Sequence, residues 1–374
     1  MSHSITSSSV FKQPIVIGFI SLVLTACGGG GGSTSTPTPT PTPADTTKPV
    51  ISITGEQALT IGFGELYSEQ GATATDNVDG SVSVSIAGSV NNNVNGDYEL
   101  TYTASDAAGN TATATRVITV FTGNTSPESY AGYNLLWSDE FSGTALDNAK
   151  WGYDIGGDGW GNNELQYHRP ENASVEGGFL IIEARKESFG GRSYTSSRIN
   201  TKDKFSFKYG RVDIRAALPE GKGLWPALWM LGQNFSTVSW PYCGEIDIME
   251  MVGGNGLENR TVGTAHWNNG GVYESNGTTK KPYAPVSYGD NYSLSGTETL
   301  ANAFHIFGLT WTPDSITWYI DGVQYHTMAI DSGASLSAFQ KDFFLIFNVA
   351  VGGDWPGSPD ANTVFPQRML VDYV

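Results

Sequence analysis

The sequence predicts an all-β protein with a small N-terminal β-sandwich and a larger β-sandwich or jelly roll. Its 374 residues include 46 glycines and only 15% charged residues, a composition typical of β-rich extracellular proteins. Short strand-like runs recur along the chain, and no sustained 3.6-residue apolar periodicity marks a helix in its C-terminal part. A chain of this length exceeds one average domain, so we expect two folded units.

The net charge limits the classes of partner. The formal charge is −17 at pH 7, and an acidic protein repels nucleic acids and other anionic polymers. We therefore expect a neutral substrate and no nucleic acid partner.

Residues 1–27 have the pattern of an export signal. An apolar run over residues 15–26 follows Lys12 and ends in Leu24-Thr25-Ala26-Cys27, and this run is too short to span a bilayer comfortably. The ending resembles a bacterial lipoprotein signal, which implies lipidation of Cys27 and, with Gly28 next, export to the outer membrane. The alternatives are an ordinary signal peptide cleaved near Ala26 and a secreted protein.

Residues 28–48 form a linker, because they are Gly-rich and then alternate Thr and Pro. Residues 49–122 instead form short alternating runs separated by turn signals such as Asp79-Gly80. These runs lie at residues 50–53, 82–86, 98–103 and 115–120. We expect a small β-sandwich here, followed by a linker over residues 123–131.

The small domain also contains a surface-module motif. Ser105-Asp106-Ala107-Ala108-Gly109-Asn110 resembles the immunoglobulin-like modules of bacterial surface proteins. We expect the domain to act as a spacer; carbohydrate or protein binding is the alternative.

Residues 132–374 contain all ten tryptophans. Strand-like runs lie at residues 179–184, 211–216, 315–320 and 343–348, and Asp321-Gly322 provides a hairpin signal after one of them. About 240 residues of short strands fit one large β-sandwich or jelly roll.

Three carboxylates lie within the run Gly244-Glu245-Ile246-Asp247-Ile248-Met249-Glu250. Alternation in a strand places Glu245 and Asp247 on one face, and Glu250 joins them only if the strand contains a β-bulge. Two glutamates on one face can approach the roughly 5–5.5 Å spacing of a retaining glycosidase, with Asp247 between them shifting both pKa values. A solvated acidic edge strand is the alternative.

Cys243 precedes this run and is the only cysteine apart from Cys27. It has no partner for an intramolecular disulfide in the mature chain. We expect a small buried apolar residue and not a nucleophile.

The acidic run is one of several long motifs that occur in a characteristic order. The others are Trp137-Ser138-Asp139-Glu140-Phe141, Asn162-Asn163-Glu164-Leu165-Gln166-Tyr167, Arg198-Ile199-Asn200-Thr201, Lys208-Tyr209-Gly210-Arg211 and Gly223-Leu224-Trp225-Pro226-Ala227-Leu228-Trp229-Met230. Together they resemble glycoside hydrolase family 16 and, within it, the bacterial laminarinases. The extra residue Met249 is typical of laminarinases, whereas lichenases have a regular strand.

The resemblance implies a concave β-sandwich with the acidic strand on the floor of a cleft. It assigns Glu245 as nucleophile, Glu250 as general acid/base and Asp247 as the residue that holds Glu245 in its working state. The implied substrate-binding residues are Asn163, Arg198, Trp225, Trp229 and His266. We interpret Trp137, Trp311 and Trp318 as core residues, and His305 and His326 as structural or surface residues.

The resemblance implies no catalytic cofactor but a structural calcium at Glu140, Gly177 and Asp372. In this family the last strand usually runs a few residues past the position of Val374. A shorter last strand would weaken a sheet edge, and we expect catalysis to survive.

These features predict a monomeric endo-1,3-β-glucanase on a bacterial cell surface, with a neutral β-glucan substrate and a lipid anchor in the membrane. The alternatives are a mixed-linkage glucanase, a β-agarase, a carrageenase and a non-catalytic glucan-binding protein.

Overall fold

The computed structural model describes residues 44–62, 67–92, 96–121, 129–274, 276–296, 298–301, 303–331 and 333–374. The expected signal over residues 1–27, with Cys27, lies outside the described residues, as do residues 28–43 and 123–128 of the two linkers and residue 122 of the small domain. Within the described ranges, no helix is both long and apolar enough to cross a membrane.

The small domain is a β-sandwich. Its strands are β1 (Val50–Ile53), β2 (Ala58–Gly62), β3 (Ala72–Asp76), β4 (Gly80–Val82), β5 (Val84–Ala87), β6 (Gly96–Ser105) and β7 (Thr111–Phe121). One sheet has the order β1-β3-β4 and the other has the order β2-β7-β6-β5. Tyr102, Ile118 and Val120 are fully buried between them, so alternating side chains form the core, as expected from the sequence.

One strand expected from the sequence is divided in two. Residues 82–86 alternate as one strand would, but the chain leaves the ladder at Ser83. β4 pairs with β3 in one sheet, whereas β5 pairs with β6 in the other. Val82 and Val84 are only partly buried and Ile86 is exposed, and the alternation runs through both strands, so the sequence pattern does not mark the change of sheet.

The large domain also consists of two main sheets. Its strands are β8 (Gly152–Tyr153), β9 (Gln166–His168), β10 (Ala173–Glu176), β11 (Phe179–Ala184), β12 (Tyr194–Ser196), β13 (Arg198–Asn200), β14 (Gly210–Ala217), β15 (Leu224–Gly232), β16 (Glu245–Glu250), β17 (Arg260–Asn268), β18 (Pro285–Ser293), β19 (His305–Trp311), β20 (Ser315–Ile320), β21 (Val323–Ala329), β22 (Phe343–Val351) and β23 (Gln367–Tyr373). The β16 sheet has the order β18-β17-β16-β15-β22-β13-β8. The β23 sheet has the order β10-β11-β23-β14-β19-β20-β21, and β9 and β12 form a separate parallel pair.

In the part of the chain that the structure describes, helical structure is limited to one turn of α-helix, α1 (Phe235–Val238), and two 3-10 segments, Pro170–Asn172 and Ala334–Gln340. The sequence prediction of an all-β protein is confirmed.

The core of the large domain lies between the two sheets. All nine residues of β22 are buried, because this strand lies between β15 and β13 in the β16 sheet and is covered on both faces. Trp151, Trp311 and Trp318 are also fully buried. Burial of several large aromatic side chains supplies much of the apolar area that stabilises the domain.

The last strand does not lie at a sheet edge, contrary to the expectation from the sequence. β23 pairs with β11 on one side and with β14 on the other. Its position follows from pairing between residues distant in sequence, which the order of the strands along the chain does not reveal.

Candidate active site

The acidic strand lies between β15 and β17, and its neighbours define which side chains share a face. Glu245 stands opposite His266, and Asp247 stands opposite Thr264. Because His266 and Thr264 are two residues apart on β17, Glu245 and Asp247 project from the same face of the β16 sheet.

A β-bulge brings Glu250 to that face. Val262 on β17 pairs with Glu250 and Thr264 pairs with Asp247, so Gly263 alone stands opposite Ile248 and Met249. The expected bulge is therefore present, and Glu245, Asp247 and Glu250 form one acidic triplet.

The β15 side identifies which residue leaves the ladder. Leu228 pairs with Met249 and Trp229 pairs with Asp247, so the extra residue there is Ile248 and not Met249. A count of residues reveals one insertion, but only the pairing determines which of two neighbouring apolar residues loses its partner.

Burial changes the charge of the triplet. It raises the pKa of Glu245 to about 8, with the charge of Asp247 as the next cause. It raises the pKa of Glu250 to about 8 as well, again with Asp247 adding to the effect, and it raises the pKa of Asp247 well above its ordinary range. Burial and mutual repulsion therefore favour protonated carboxyls in the triplet up to neutral pH, and the ionisation of one carboxyl makes ionisation of its neighbours less favourable.

Two neighbouring side chains orient the triplet. Trp225 donates a hydrogen bond from Nε1 to Oε1 of Glu250 at 2.9 Å. His266 places Nε2 3.1 Å from Oδ2 of Asp247 and 3.8 Å from Oε1 of Glu245. The contact to Asp247 is not aligned as a hydrogen bond, so His266 acts on the two carboxyls through its charge when it is protonated.

The predicted residues Arg198 and Trp229 lie together. The Arg198 guanidinium lies 4.7 Å from the Trp229 ring and 4.9 Å from the Trp160 ring. Its Nε donates to Oδ2 of Asp154 at 2.9 Å, and Trp229 Nε1 donates to Oδ1 of Asn348 at 2.8 Å. Trp229 is therefore held in one orientation beside Asp247, its partner in the ladder.

Asn163 is linked to the other end of the site. Its Nδ2 lies 3.0 Å and 3.1 Å from the two carboxylate oxygens of Asp354. The next residue, Trp355, is 45% exposed and packs edge-on against Trp225 at 5.3 Å. The sequence prediction missed Trp355 and Trp160; the turn residues of Gly352-Gly353-Asp354-Trp355-Pro356-Gly357 are the signal that would have indicated an exposed tryptophan.

Comparison with known proteins agrees with this geometry. The model for "Glycosyl hydrolases family 16" matches residues 161–374, which is more than half of the chain. The chain belongs to glycosyl hydrolases family 16. A second model, "Bacterial surface protein, Ig-like domain", matches residues 51–120 and indicates a surface or secreted location.

Several known proteins are similar to this chain. A beta-glucanase of Rhodothermus marinus is 42% identical over 256 residues, which cover 65% of this chain and 84% of that protein. Glucan endo-1,3-beta-glucosidase A1 of Niallia circulans is 40% identical over 270 residues, covering 65% and 38% respectively. The laminarinase catalytic domain of Thermotoga maritima MSB8 is 46% identical with a TM-score of 0.57, covering 64% of this chain and 96% of that structure.

Several other predictions for the family 16 domain are confirmed. Cys243 is fully buried among apolar residues, and burial raises the pKa of its thiol to about 12, so it is not a thiolate nucleophile. Trp311 and Trp318 are core residues, and His305 and His326 are largely buried, His305 beside Asp321 and His326 against the Trp318 ring.

The residues expected to bind calcium in family 16 lie near the β23 sheet. Asp372 is fully buried on β23, and one of its oxygens accepts a hydrogen bond from Arg215 at 2.7 Å. Glu140 lies close enough for the charge of Asp372 to act on it. Gly177 lies in the turn before β11, the strand that pairs with β23.

Proposed function

We propose that this chain is an endo-acting glycoside hydrolase that cleaves 1,3-β-glucan with retention of configuration. The observation that carries the proposal is the bulge that gathers Glu245, Asp247 and Glu250 on one face. The similarity of the same domain to an endo-1,3-beta-glucosidase and a laminarinase, at 40% and 46% identity, supports the substrate.

In the first step the carboxylate of Glu245 attacks the anomeric carbon of the sugar at the scissile bond. The bond from that carbon to the glycosidic oxygen breaks, and Glu250 donates its proton to the departing oxygen. The products are a glycosyl ester on Glu245 and the free hydroxyl of the leaving chain.

In the second step water enters the position of the leaving chain. Glu250, now a carboxylate, removes a proton from the water as its oxygen attacks the anomeric carbon, and Glu245 departs as a carboxylate. Two successive inversions return the β configuration and restore both glutamates.

Asp247 and His266 influence the protonation states of Glu245 and Glu250 in these steps. When Asp247 is ionised, its charge favours retention of a proton on both Glu250 and Glu245, because like charges in a buried site repel. Nε2 of His266 lies 3.8 Å from Oε1 of Glu245, so a protonated His266 favours the ionised nucleophile.

Aromatic rings beside the triplet supply the sugar-binding surface: Trp355 is exposed, and Trp225 and Trp229 are half-buried. Trp225 and Trp355 lie at the Glu250 end, and Trp229 lies beside Asp247 with Arg198 stacked on it. Flat indole faces pack against the apolar faces of glucose, while polar groups such as Asn163 orient the hydroxyls.

The mechanism is tested with Glu245→Ala and with the exposed Glu176→Ala on β10 as the control. Release of reducing ends from laminarin should be lost in the first variant and unchanged in the second, while both keep the wild-type melting temperature within a few degrees. Proton NMR immediately after cleavage should show β-configured product. Turnover by Glu245→Ala, or initial α product, contradicts the assignment.

The linkage is tested by a panel of laminarin, lichenan, agarose and carrageenan. We expect the highest kcat/KM on laminarin. Preference for lichenan would identify a mixed-linkage enzyme, and binding of laminarin without turnover would identify a glucan-binding protein.

We also propose that a lipid on Cys27 anchors the protein to the outer membrane. The support is the pattern Leu24-Thr25-Ala26-Cys27 followed by Gly28; two or more acyl chains are needed for stable anchoring. Cys27→Ser should move the protein from the membrane to the soluble fraction, and continued membrane association would contradict the anchor. We expect a monomer, which size-exclusion chromatography of the protein without its lipid tests.

We propose, finally, a structural calcium held by Glu140, Gly177 and Asp372. Burial raises the pKa of Glu140, and the charges of Asp372 and Asp139 add to it, so a cation here would relieve repulsion among buried acids. The ion pair between Arg215 and Asp372 competes with it. Chelation with EDTA should lower the melting temperature, with calcium restoring it; an unchanged melting temperature rejects the site.

A further inference from the structure

Two β-bulges in opposite sheets meet beneath the acidic triplet. In the β16 sheet, Ile248 and Met249 stand opposite Gly263. In the β23 sheet, Trp318 pairs with His326 and Tyr319 pairs with Gln324, so Tyr325 is an extra residue in β21.

The two irregularities are in direct contact through Gly263. A Cβ atom at Gly263 would lie 2.4 Å from Cδ1 of Trp318 and 2.4 Å from the hydroxyl of Tyr325, far inside van der Waals contact. The β23 sheet therefore packs two aromatic side chains against the backbone of Gly263, which faces the bulge. Any side chain at position 263 would displace Trp318 and Tyr325 from this backbone.

Trp318 adds a specific hydrogen bond to this contact. Its side chain is fully buried, and its indole Nε1 donates to the backbone oxygen of Asp247 at 2.8 Å. Asp247 is the last regularly paired residue before the bulge on both of its sides. Bulges interrupt the ladder, and a buried carbonyl without a donor is costly, so the indole stabilises the turn of the strand between Asp247 and Glu250.

We propose that Trp318 is a positioning residue for hydrolysis: its hydrogen bond to the Asp247 carbonyl holds the bulge that aims Glu250 at the glycosidic oxygen. Trp318 lies beneath the sheet and does not touch the substrate. The proposal rests on the hydrolase function proposed above and adds a residue from the opposite sheet to the machinery.

The test compares Trp318→Phe with Trp311→Phe. Both tryptophans are buried residues of the β23 sheet, but Nε1 of Trp311 has no hydrogen-bond partner among the described residues. The two changes remove similar volume, and only the first removes a bond to the bulge.

We expect Trp318→Phe to lower kcat on laminarin about 30-fold relative to Trp311→Phe while KM changes less than about threefold, since a displacement of 1 Å in a catalytic group can cost two orders of magnitude in rate. The basic limb of the pH–rate profile should also move in Trp318→Phe and stay in place in Trp311→Phe. Equal losses of kcat with unshifted profiles in both variants would reduce Trp318 to a packing role and overturn the proposal.

Gly263→Ala approaches the same contact from the other side and keeps the test decisive if Trp318→Phe does not fold. Its methyl group should displace Trp318 and Tyr325 and reproduce the loss of kcat and the shift of the basic limb. A folded Gly263→Ala enzyme with wild-type kcat and profile would overturn the proposal. Failure of the wild-type protein to cleave laminarin would instead contradict the proposed function, so the two failures are distinguishable.

Discussion

Trp225 donates a hydrogen bond from its indole Nε1 to Oε1 of Glu250 across 2.9 Å. One ring therefore takes part in two tasks, since it lies against Trp355 in the sugar-binding surface and also orients the proposed acid. The bond favours the ionised form of Glu250, opposing the effect of burial on its pKa.

Trp225→Phe should lower kcat/KM on laminarin by about 10- to 100-fold, because a hydrogen bond to a charged group contributes about 1.5–3 kcal/mol. Loss of the donor raises the pKa of Glu250, so the basic limb of the pH–rate profile should move to higher pH. Trp267→Phe is the control, since Nε1 of Trp267 has no hydrogen-bond partner among the described residues. A basic limb that moves to lower pH would contradict the role of the bond.

Asp247→Asn should change how stability depends on pH. The pKa of Asp247 is raised in the folded protein. Asp247 therefore contributes fully to the free energy of unfolding below its pKa in the unfolded chain, and this contribution is lost as pH rises through its pKa in the folded protein. The difference in melting temperature, variant minus wild type, should therefore increase from pH 5 to pH 8. The exposed Glu176→Gln is the control substitution, and a constant difference for Asp247→Asn would contradict the buried-charge explanation.

Trp355→Ala should raise KM for the substrate more than it lowers kcat. The ring is exposed and packs edge-on against Trp225, and loss of an aromatic–sugar contact of this size corresponds to about a 10-fold rise in KM. Steady-state kinetics on laminarin oligosaccharides measure the effect. Tyr133→Ala, which removes a ring of similar exposure on another segment, should leave KM unchanged; a fall in kcat alone for Trp355→Ala would place this residue in the chemical step instead.

Arg198→Lys should raise KM about 10-fold, because lysine lacks the planar group that stacks between Trp160 and Trp229. Arg211→Lys is a matched control: Arg211 also stacks on two aromatic rings and pairs with an aspartate, but it belongs to the β23 sheet. If both variants show the same KM, the orientation of Trp229 by Arg198 is not important for binding.

Local patterns were sufficient for the composition of the site but not for its assembly. Alternation of Glu245 and Asp247 predicted one face, and the extra residue predicted a bulge, because both are consequences of the period of two in a strand. The residues that surround the triplet come from strands distant in sequence. Trp355 and Trp160 were missed for this reason, since each lies in a loop that shows no periodicity.

The sequence also predicted which residues form strands, but it did not predict where those strands lie in the sheets. The runs at residues 179–184 and 343–348 predicted β11 and β22, since apolar and β-branched side chains favour extended backbone. The change of sheet at Ser83 and the interior position of β23 depend on which distant edges pair, a choice made by the packing of the whole domain.

The bulge at Ile248 separates what the sequence determines from what the tertiary structure determines. The residues Glu245, Asp247 and Glu250 and the need for one irregularity between them follow from the order of amino acids alone. Which residue leaves the ladder, and how Glu250 is aimed, follows from contacts with Gly263, Trp318 and Tyr325, the last two from the opposite sheet. A bulge is a small local distortion with several nearly equivalent forms, so the close-packed core around it selects the one that is observed.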